Sequence, residues 1–295
     1  MAVKVYSPNA IVFSDAVDDI SQLENLSPDF GFEDVSVKPS GAIFPGFTGS
    51  LAKKPVLEDS TTQVAEILER CGSAGDYIAG TFSNSAIKFQ WVQSENLGTR
   101  KAFASTSDHL VLRALYSLLT WSSISANDSG PAKINFGIRP VSNGGNAPLV
   151  ALAEAINALP ITDTWKLGPV VLDVGSGAST LCVDSWTVNT NITYKEKRCS
   201  GFKYYEYCSV DDSRPEGMFE TEDYSVVAAL LPDGMPITSV DFYLRKLEQG
   251  KIEVASATAE HIKISATAGT VKPTGPGSVK MQLHGLTTTI GVALP

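Results

Sequence analysis

The feature that most constrains the fold of this chain is a pattern that occurs twice along it. In each half a Pro-x-Gly turn precedes a segment with a capping residue at its start and a glycine at its end: Pro39 to Gly41 with 60–72, and Pro215 to Gly217 with 238–250. Gly41 precedes Gly72 by 31 positions, and Gly217 precedes Gly250 by 33. Chance can supply any one of these matches, but their order and spacing favour a duplicated domain over coincidence.

Each half also closes on a similar strand signal, a lysine followed by alternating apolar and polar residues and a nearby glycine. These segments are 133–137 (KINFG) and 280–285 (KMQLHG). Gly72 lies 61 positions before Lys133, whereas Gly250 lies only 30 before Lys280. If the halves are copies, we therefore expect the first copy to hold an insertion of about one hairpin or more.

Composition excludes several classes of protein. The chain has 295 residues, 43% of them hydrophobic, which is enough for one large core or two domains of ordinary size. Its net charge of -9 argues against a protein that grips nucleic acid by neutralising phosphates. No apolar run approaches the roughly 18 residues that a membrane-spanning helix needs, and the N-terminus lacks a signal-peptide core. Synthesis and residence in the cytoplasm are the default expectation.

The four cysteines (71, 182, 199, 208) and three histidines (109, 261, 284) are scattered, without metal-ligand spacing, so we predict no metal site. Cys71 lies on the apolar face of a predicted helix and is interpreted as a small buried hydrophobe. Cys199 and Cys208 are at hairpin distance, so a cross-strand disulfide is conceivable. Two free thiols are the preferred prediction, because the cytoplasm is reducing.

Three segments have helical signals. Residues 60–71 combine Ser60 as a cap, Gln63 to complete a capping box and an apolar stripe at 64, 67, 68 and 71, with Gly72 as the stop. Residues 239–248 have Thr238 or Ser239 as a cap and an apolar stripe at 240, 243, 244 and 247. Residues 148–159 are alanine-rich and bounded by prolines, which suggests a linker helix.

Most of the remaining chain has strand signals. Polar and apolar residues alternate over 85–92, 185–194 and 261–265, and Gly- and Pro-rich turns separate such segments. Residues 109–121 fit a helix and a long strand about equally. The expected fold class is mainly β, with two tandem, duplicated β-sandwiches or partly closed barrels and one flanking helix in each. The predicted division is an N-terminal arm (1–35), a first domain (36–147), a linker (148–180) and a second domain (181–295).

No constellation of side chains predicts catalysis, so the chain is expected not to be an enzyme and to have no catalytic or cofactor-binding residues. The segment Asp173 to Ser179 (DVGSGAS) resembles a phosphate loop only superficially, because it lacks the Walker spacing and its Lys-Ser/Thr pair. It is interpreted as a turn between strands. Acidic pairs such as Asp211 and Asp212 are interpreted as a solvated face. Phe202 with the tyrosines at 204, 205 and 207 is interpreted as sheet and subunit-interface packing rather than a stacking platform for nucleic acid or sugar.

The order of several segments resembles that of the tail tube proteins of long-tailed bacteriophages, in which a strand with an Asn-rich turn, an Arg-Pro-x-Gly turn and a late strand pair recur. The segments are 183–194 (VDSWTVNTNITY), 212–217 (DSRPEG), 260–265 (EHIKIS) and 277–283 (GSVKMQL), with 65–72 (AEILERCG) and 132–137 (AKINFG) in the first half. The resemblance covers about two-thirds of the chain and excludes 1–35 and 100–131.

The resemblance implies a structural virion protein, the major tail tube subunit of a non-contractile, siphovirus-like tail. Such subunits carry a β-sandwich with a helix on one side, and sheets of neighbouring subunits close into an inner barrel. Stacked rings form a tube through which viral DNA passes without specific binding, and other tail proteins sit at its ends. Two domains per chain predict a trimeric ring with pseudo-sixfold symmetry rather than a hexamer. The location implied is the virion tail, assembled in the host cytoplasm without a membrane.

The acidic composition suggests a lumen lined with carboxylates, which would repel DNA. The segments 14–60 and 195–215 are candidates for contacts between rings. Three alternatives remain open. They are a capsid or decoration protein, a cytoplasmic ligand-binding β-sandwich that uses Tyr204, Tyr205 and Tyr207, and, last, an enzyme built around 173–179.

Overall fold

The described residues fold mainly into antiparallel strands. The computed structural model describes residues 5–13, 20–22, 27–36, 48–72, 79–82, 87–94, 100–106, 108–156, 163–199, 202, 204–223, 235–247, 260–275 and 277–295. Within them lie 22 strands and one helix, α1 (Val64–Gly72). We refer to residues 5–156 as the first half and to residues 163–295 as the second half. The mainly β class predicted from the sequence is confirmed.

The strands form one ten-stranded sheet, two five-stranded sheets and one two-stranded hairpin. In the first half the strands are β1 (Val5–Phe13), β2 (Ile20–Gln22), β3 (Ser27–Ser36), β4 (Thr48–Thr61), β5 (Ala79–Phe82), β6 (Ile87–Ser94), β7 (His109–Ala114), β8 (Ser117–Asn127), β9 (Lys133–Pro140) and β10 (Leu149–Glu154). In the second half they are β11 (Thr164–Asp173), β12 (Ala178–Leu181), β13 (Ser185–Asn189), β14 (Ile192–Lys197), β15 (Tyr207–Ser213), β16 (Glu216–Glu220), β17 (Met235–Ile237), β18 (Ser239–Leu247), β19 (His261–Ala266), β20 (Ala268–Gly275), β21 (Ser278–His284) and β22 (Thr287–Val292).

The ten-stranded sheet runs through both halves of the chain. Its order is β17-β20-β21-β16-β13-β8-β9-β4-β3, and β5 also pairs with β8. The first side sheet has the order β10-β7-β6-β1-β2 and belongs to the first half. The second side sheet has the order β12-β11-β18-β19-β22 and belongs to the second half. The two halves are therefore joined through the pairing of β8 with β13, which we call the internal seam.

The hydrophobic core lies between the side sheets and one face of the ten-stranded sheet. Strand β9 shows why, because Ile134, Phe136 and Ile138 are buried while the residues between them are not. Alternate side chains of a strand point to opposite faces, so one face joins the core and the other stays wet. A single contiguous cluster contains buried residues of all three large sheets and of α1. Trp186 of the ten-stranded sheet, for example, packs against Phe242 of the second side sheet with ring centroids 5.4 Å apart.

The helix predicted over 60–71 is confirmed, although it starts later and is capped differently. Val64, Ile67, Leu68 and Cys71 form its buried stripe, and Gly72 ends it with a φ of 102°, in the left-handed region that glycine tolerates. Ser60 does not cap the helix, because it belongs to β4. Instead, the hydroxyl oxygen of Thr61 accepts a hydrogen bond of 3.2 Å from the backbone N–H of Gln63.

The helix predicted over 239–248 is wrong: these residues up to Leu247 form strand β18. Its neighbours are β11 on one side and β19 on the other, so it is a central strand of its sheet. Val240, Phe242 and Leu244 alternate on the buried face, which is the period of a strand. The apolar stripe that suggested a helix arises because Tyr243, on the opposite face, is buried as well. This segment therefore does not supply the helix that was predicted for the second half.

The linker helix predicted over 148–159 is also wrong, since β10 occupies its first part. Six residues of β10 pair in register with β7, from Leu149 opposite Ala114 to Glu154 opposite His109. Helix propensity is a weak preference that such tertiary pairing overrides. Residues 157–159 lie outside the described residues. The ambiguous segment 109–121 forms strand: β7 ends at Ala114 and β8 starts at Ser117.

The two halves have the same order of strand pairing. The pairs of the first side sheet, read β10-β7-β6-β1-β2, correspond to β22-β19-β18-β11-β12 of the second. In the ten-stranded sheet β3-β4-β9-β8-β5 corresponds to β13-β16-β21-β20-β17. Every described strand thus has a counterpart in the same chain order, except for the two strands of the hairpin β14–β15.

Two irregularities in the pairing of each half occur at corresponding positions, and they fix the correspondence residue by residue. In β8 the register shifts between Trp121 and Ser123, and in β20 between Pro273 and Gly275. In β1 it shifts after Pro8, and in β11 after Leu167. Under this correspondence His109 matches His261, and both are buried at the start of their strands.

The turn after β4 also has its counterpart after β16. The Thr221 hydroxyl oxygen accepts a hydrogen bond of 3.1 Å from the N–H of Asp223, as Thr61 does from Gln63 before α1. The segment that corresponds to α1 is 224–234, which lies outside the described residues. The sequence-based match of 60–72 with 238–250 was therefore wrong, because β18 corresponds to β6 and not to α1.

The additional hairpin lies in the second half rather than the first. Between the counterparts β4 and β9 the described strands are β5–β8, and between β16 and β21 they are β17–β20. Each interval thus contains four described strands, so these strands do not include the extra hairpin expected between Gly72 and Lys133. The strands without a counterpart are β14 and β15. Residues assigned to the arm (1–35) and the linker (148–180) contribute β1–β3 and β10–β12 to the sheets. The domain boundaries themselves stay predictions.

None of the four cysteines forms a disulfide, which agrees with the preference for free thiols over a Cys199–Cys208 disulfide. Cys71 is fully buried in α1, and burial raises the pKa of its thiol to about 12. A hydrogen bond to Glu206 raises the pKa of the exposed Cys199 thiol. Among the described residues no helix has the length and apolarity to cross a membrane.

We expect a thiol reagent at pH 8 to label the native protein at Cys182 fastest and at Cys199 more slowly. The thiolate is the reactive form, and a raised pKa keeps the thiol protonated until the pH rises toward that pKa. Cys71 should react only after unfolding. The time course of absorbance with a chromogenic disulfide, before and after adding guanidinium, measures this order. Rapid native labelling of Cys71, located by peptide mapping, would contradict the buried position.

Candidate functional site

The face of the ten-stranded sheet that points away from the core is a broad regular surface, and we call it the outward face. It is built from small polar side chains, because the strands alternate between core and solvent. On β8, β13 and β21 these are Ser123, Ser125, Asn127, Ser185, Thr187, Asn189, Ser278 and Gln282. Such a surface is wet and hydroxyl-rich and offers few apolar contacts.

Charges on the outward face are balanced in the part of the chain that the structure describes. Glu58, Glu216 and Glu220 are its acidic residues, and Lys133, Arg139, Lys272 and Lys280 are its basic residues, of which Arg139 is paired with Glu196 of the hairpin β14–β15. Glu216 is paired with Lys280 at 2.8 Å. The face therefore has no positive patch of the kind that binds phosphates, but it is also not predominantly acidic.

The hairpin β14–β15 is anchored on the outward face by side chains of β8 and β9. The hydroxyl of Tyr194 shares a hydrogen bond of 2.8 Å with that of Thr120. Arg139 donates to a carboxylate oxygen of Glu196 at 3.2 Å, and its guanidinium carbon lies 3.6 Å from the ring centre of Tyr194. Both side chains of this ion pair are largely shielded from water, so it is screened less than a surface pair.

Beside the hairpin the outward face has a groove of about 470 Å³. Its lining includes Glu58, Ser60, Asn135 and the ring of Tyr194. Hydroxyl, amide and aromatic groups in one concavity are the kind of set that binds small polar molecules. The groove is wide open to solvent on one side, because it is the strip of sheet that the hairpin leaves uncovered.

Replacing Arg139 by methionine should release the hairpin from the sheet. We expect a loss of about 1–3 kcal/mol in the free energy of unfolding, because both the charge-assisted hydrogen bond and the stacking on Tyr194 disappear. Chemical denaturation measures the loss, and faster proteolysis near Arg198 would locate it. Lys195→Gln on the same hairpin is the matched control, because Lys195 is exposed. Equal stability of Arg139→Met and the control would show that these contacts do not hold the hairpin.

The aromatic residues singled out in the sequence lie at the turn end of this hairpin, in the loop between β14 and β15 or directly beside it. Tyr207, in β15, and Phe202 are exposed. Tyr204 and Tyr205 are half-buried, and the carbonyl of Tyr205 accepts a hydrogen bond of 2.7 Å from the N–H of Ser142. The structure thus places this group where the hairpin meets the first half, and its role in binding stays a prediction.

The segment Asp173 to Ser179 is a turn between strands, as interpreted from the sequence. It connects β11 to β12, and no helix follows it. A carboxylate oxygen of Asp173 accepts hydrogen bonds from the N–H groups of Gly175 and Gly177, at 2.7 and 3.2 Å. These N–H groups are therefore satisfied within the loop and do not form a phosphate cradle.

The internal seam shows how one half of the molecule binds the other. Five residue pairs join β13 to the second part of β8, from Ser185 opposite Asn127 to Asn189 opposite Ser123. Beyond this pairing, the N–H of Thr190 donates to the carbonyl of Ser122 at 2.9 Å. The first part of β8 pairs instead with β5, so one long strand serves two neighbours.

The two ends of the ten-stranded sheet contain counterparts of the two strands that form this seam. At one end, β3 has β4 as its neighbour, and β3 is the counterpart of β13. At the other end, β17 pairs with β20 only over Gly269 to Val271, and β20 is the counterpart of β8. Among the described strands, Lys272 to Gly275 have β21 alone as a neighbour. Sequence reasoning missed these edges, because they depend on a correspondence between halves that only the register reveals.

Comparison with protein-family models finds no match for this chain, and comparison with curated proteins finds no significant similarity.

Proposed function

We propose that the chain is a structural virion protein, the major tail tube subunit of a long-tailed bacteriophage, built from two tandem copies of one tube-type β-sandwich. The observation that carries the proposal is the shared pairing order of the two halves within one continuous sheet. Ten strands have counterparts in the same chain order, with bulges at matching positions. A duplication accounts for this agreement more simply than coincidence does.

The internal seam provides a template for the contact between subunits. Inside one chain the β3-type strand of the second half pairs with the β8-type strand of the first half. Each chain has one more strand of either type. No described strand occupies the outer edge of β3, and β17 occupies that of β20 only up to Val271. Unpaired edges favour pairing with another chain. Pairing β3 of one copy with β20 of the next repeats the seam head to tail, and such heterologous contacts close into rings.

The register of this contact follows from the register of the seam. Asn189 lies opposite Ser123, and under the correspondence between halves Asn189 matches Asp29 and Ser123 matches Gly275. Asp29 of one copy should therefore lie opposite Gly275 of the next. Three chains supply six sandwiches, so a trimer closes a ring of pseudo-sixfold symmetry.

The outward face would form the wall of the channel, because the side sheets occupy the other face of the ten-stranded sheet. A wall of serine, threonine, asparagine and glutamine with balanced charge offers DNA no cluster of cations to hold its phosphates. The hairpin β14–β15 has no counterpart in the first half, so each ring would carry three hairpins rather than six. Contacts between successive rings are the role proposed for this hairpin.

Electron microscopy of the purified protein at increasing concentration tests the proposed function. Open rings or hollow tubes with three subunits in each ring are the expected result. Rings of six chains would retain the tube and contradict the trimer. Closed shells would favour a capsid or decoration protein. Persistent monomers at high concentration, together with saturable binding of a small sugar or peptide lost on Tyr204, Tyr205 and Tyr207→Ala, would favour the ligand-binding alternative.

A cysteine pair placed across the proposed contact measures both its register and the number of subunits. We expect Asp29→Cys with Gly275→Cys to crosslink under mild oxidation, because directly opposite residues of antiparallel strands have Cβ atoms about 4.5–5.5 Å apart. Denaturing gels without reductant should show a ladder that ends at three chains. Asp29→Cys with Lys272→Cys is the out-of-register control, and Cys182→Ser with Cys199→Ser reduces background. Crosslinking as efficient in the control as in the matched pair would contradict the register.

A further inference from the structure

The second side sheet carries two cations directly opposite each other on its outer face. Lys166 of β11 pairs in register with Arg245 of β18, and Arg245 pairs in register with His261 of β19. Their neighbours Leu244 and Trp165 are buried on the core side. Lys166 and Arg245, which we call the basic row, therefore face away from the core. Like charges at opposite positions of two strands destabilise the pair. This arrangement therefore favours an anion beside the row.

A cavity of about 280 Å³ lies beside these two cations. Gly168 and Pro169, at the bulge of β11, line it together with Lys166 and Arg245. The backbone strands approach closely at this bulge, since a Cβ on Gly168 would lie 2.5 Å from the carbonyl oxygen of Tyr243. Asp128, which precedes β9 in the first half, completes the wall. The cavity thus lies where the two halves meet.

The guanidinium of Arg245 has an unsatisfied donor at this place. Its Nε atom is enclosed and has no hydrogen-bond partner. A buried charged donor without a partner destabilises the fold, and an acceptor at this place would remove that cost. Among the residues that the structure describes, neither Arg245 nor Lys166 forms an ion pair within 4.0 Å. The carboxylate of Asp128 lines the cavity but does not bond to either of them.

From these observations we propose that the cavity binds a phosphate-class oxyanion, with the Nε–H of Arg245 and the ammonium of Lys166 as donors. Guanidinium and ammonium groups are the side chains that bind phosphate oxygens most strongly. Water occupies about 30 Å³ per molecule in the liquid, so 280 Å³ accommodates a phosphate group with several waters. The carboxylate of Asp128 repels the anion, so the affinity is lower than Lys166 and Arg245 alone would give. The bound group would link the two halves beside the internal seam.

Calorimetric titration of the full chain with inorganic phosphate, at constant ionic strength in sodium chloride, tests the site. Saturable binding is expected, with Arg245→Gln and Lys166→Gln each weakening it about tenfold or more because a charge-assisted hydrogen bond is lost. Asp128→Asn should strengthen binding, since it removes the opposing carboxylate. Lys195→Gln is the control and should bind as the original protein does. Parallel titration with glycerol phosphate shows whether free phosphate or a phosphate ester fits better.

Absence of saturable heat with both probes would overturn the proposal, as would unchanged affinity in Lys166→Gln. If Arg245→Gln does not fold, Lys166→Gln still tests the site, because Lys166 is only half-buried and its substitution should leave the fold intact. The titration does not depend on ring formation. A negative result therefore leaves the tube proposal intact, and the absence of rings leaves the anion site intact.

Discussion

Replacing Trp186 by alanine should unfold both halves of the molecule together at a much lower temperature. Trp186 lies in β13 at the internal seam, is 1% exposed and packs against Phe242 of the second side sheet. Truncating a buried tryptophan costs about 3–5 kcal/mol through lost transfer free energy and the cavity that remains. For a chain of this size the midpoint of thermal unfolding should fall by roughly 10 °C. Scanning calorimetry measures the midpoint and the number of transitions.

The number of transitions is the informative part of that experiment. Because the ten-stranded sheet and the hydrophobic cluster both run through the two halves, we expect one transition before and after the substitution. Met218→Ala is the matched control, since Met218 lies on the next strand but on the outward face, where it is 43% exposed. It should change stability by less than about 0.5 kcal/mol. Two separate transitions in Trp186→Ala, with the first half unaffected, would show that the halves fold independently.

The sequence predicted those elements whose signal is local and complete. Helix α1 has a strong apolar stripe and a glycine stop, and both act within nine residues. The strands at 85–92 and 261–265 show period-2 alternation, which is also local. The strand predicted over 185–194 is divided, because Asn191 has a φ of 46° and turns the chain between β13 and β14. The error there lies in a single backbone angle that the alternating pattern does not encode.

The wrong predictions occur where tertiary pairing overrides local preference. The segment at β18 fits a helical stripe only because residues on both of its faces are buried, which is a property of a central strand. Strand β10 consists of good helix formers, yet it pairs with β7 at the edge of a sheet. In neither segment does the sequence reveal the neighbouring strand that decides its conformation.

The repeat was predicted from turns and stops, whereas the likeness between the halves in the structure lies in the order and register of strand pairing. The match of 133–137 with 280–285 selected strands at equivalent places in that order, β9 and β21, although their lysines do not align. A stronger sequence similarity between the halves is that of 109–114 (HLVLRA) with 261–266 (HIKISA). These segments share a histidine, two apolar positions and an alanine. These residues occupy the same pairing positions in β7 and β19. Comparing strand with strand, rather than helix with helix, could have found it.

Reversing charge on the outward face should turn the proposed channel wall into a surface that holds DNA. Glu58→Lys with Glu220→Lys changes the charge by four units per chain, and both side chains are exposed on this face. Each lysine that neutralises a phosphate releases a counterion, so binding becomes strong at low salt and falls steeply as salt rises. We expect assembled tubes of the variant to retain double-stranded DNA at 50 mM salt, about tenfold or more above the original protein, and to release it near 300 mM.

Retention is measured by sedimenting tubes with labelled DNA fragments over a series of salt concentrations. The matched pair is Glu58→Lys against Glu69→Lys, because Glu69 is exposed on α1 at the opposite side of the sheet. Only the first should increase retention if the outward face lines the channel. Equal retention by both variants would mean that DNA binds wherever positive charge is added, and the outward face would then have no special access to it. Retention by Glu69→Lys alone would place the side of the sheet that carries α1 toward the lumen and invert the proposed orientation.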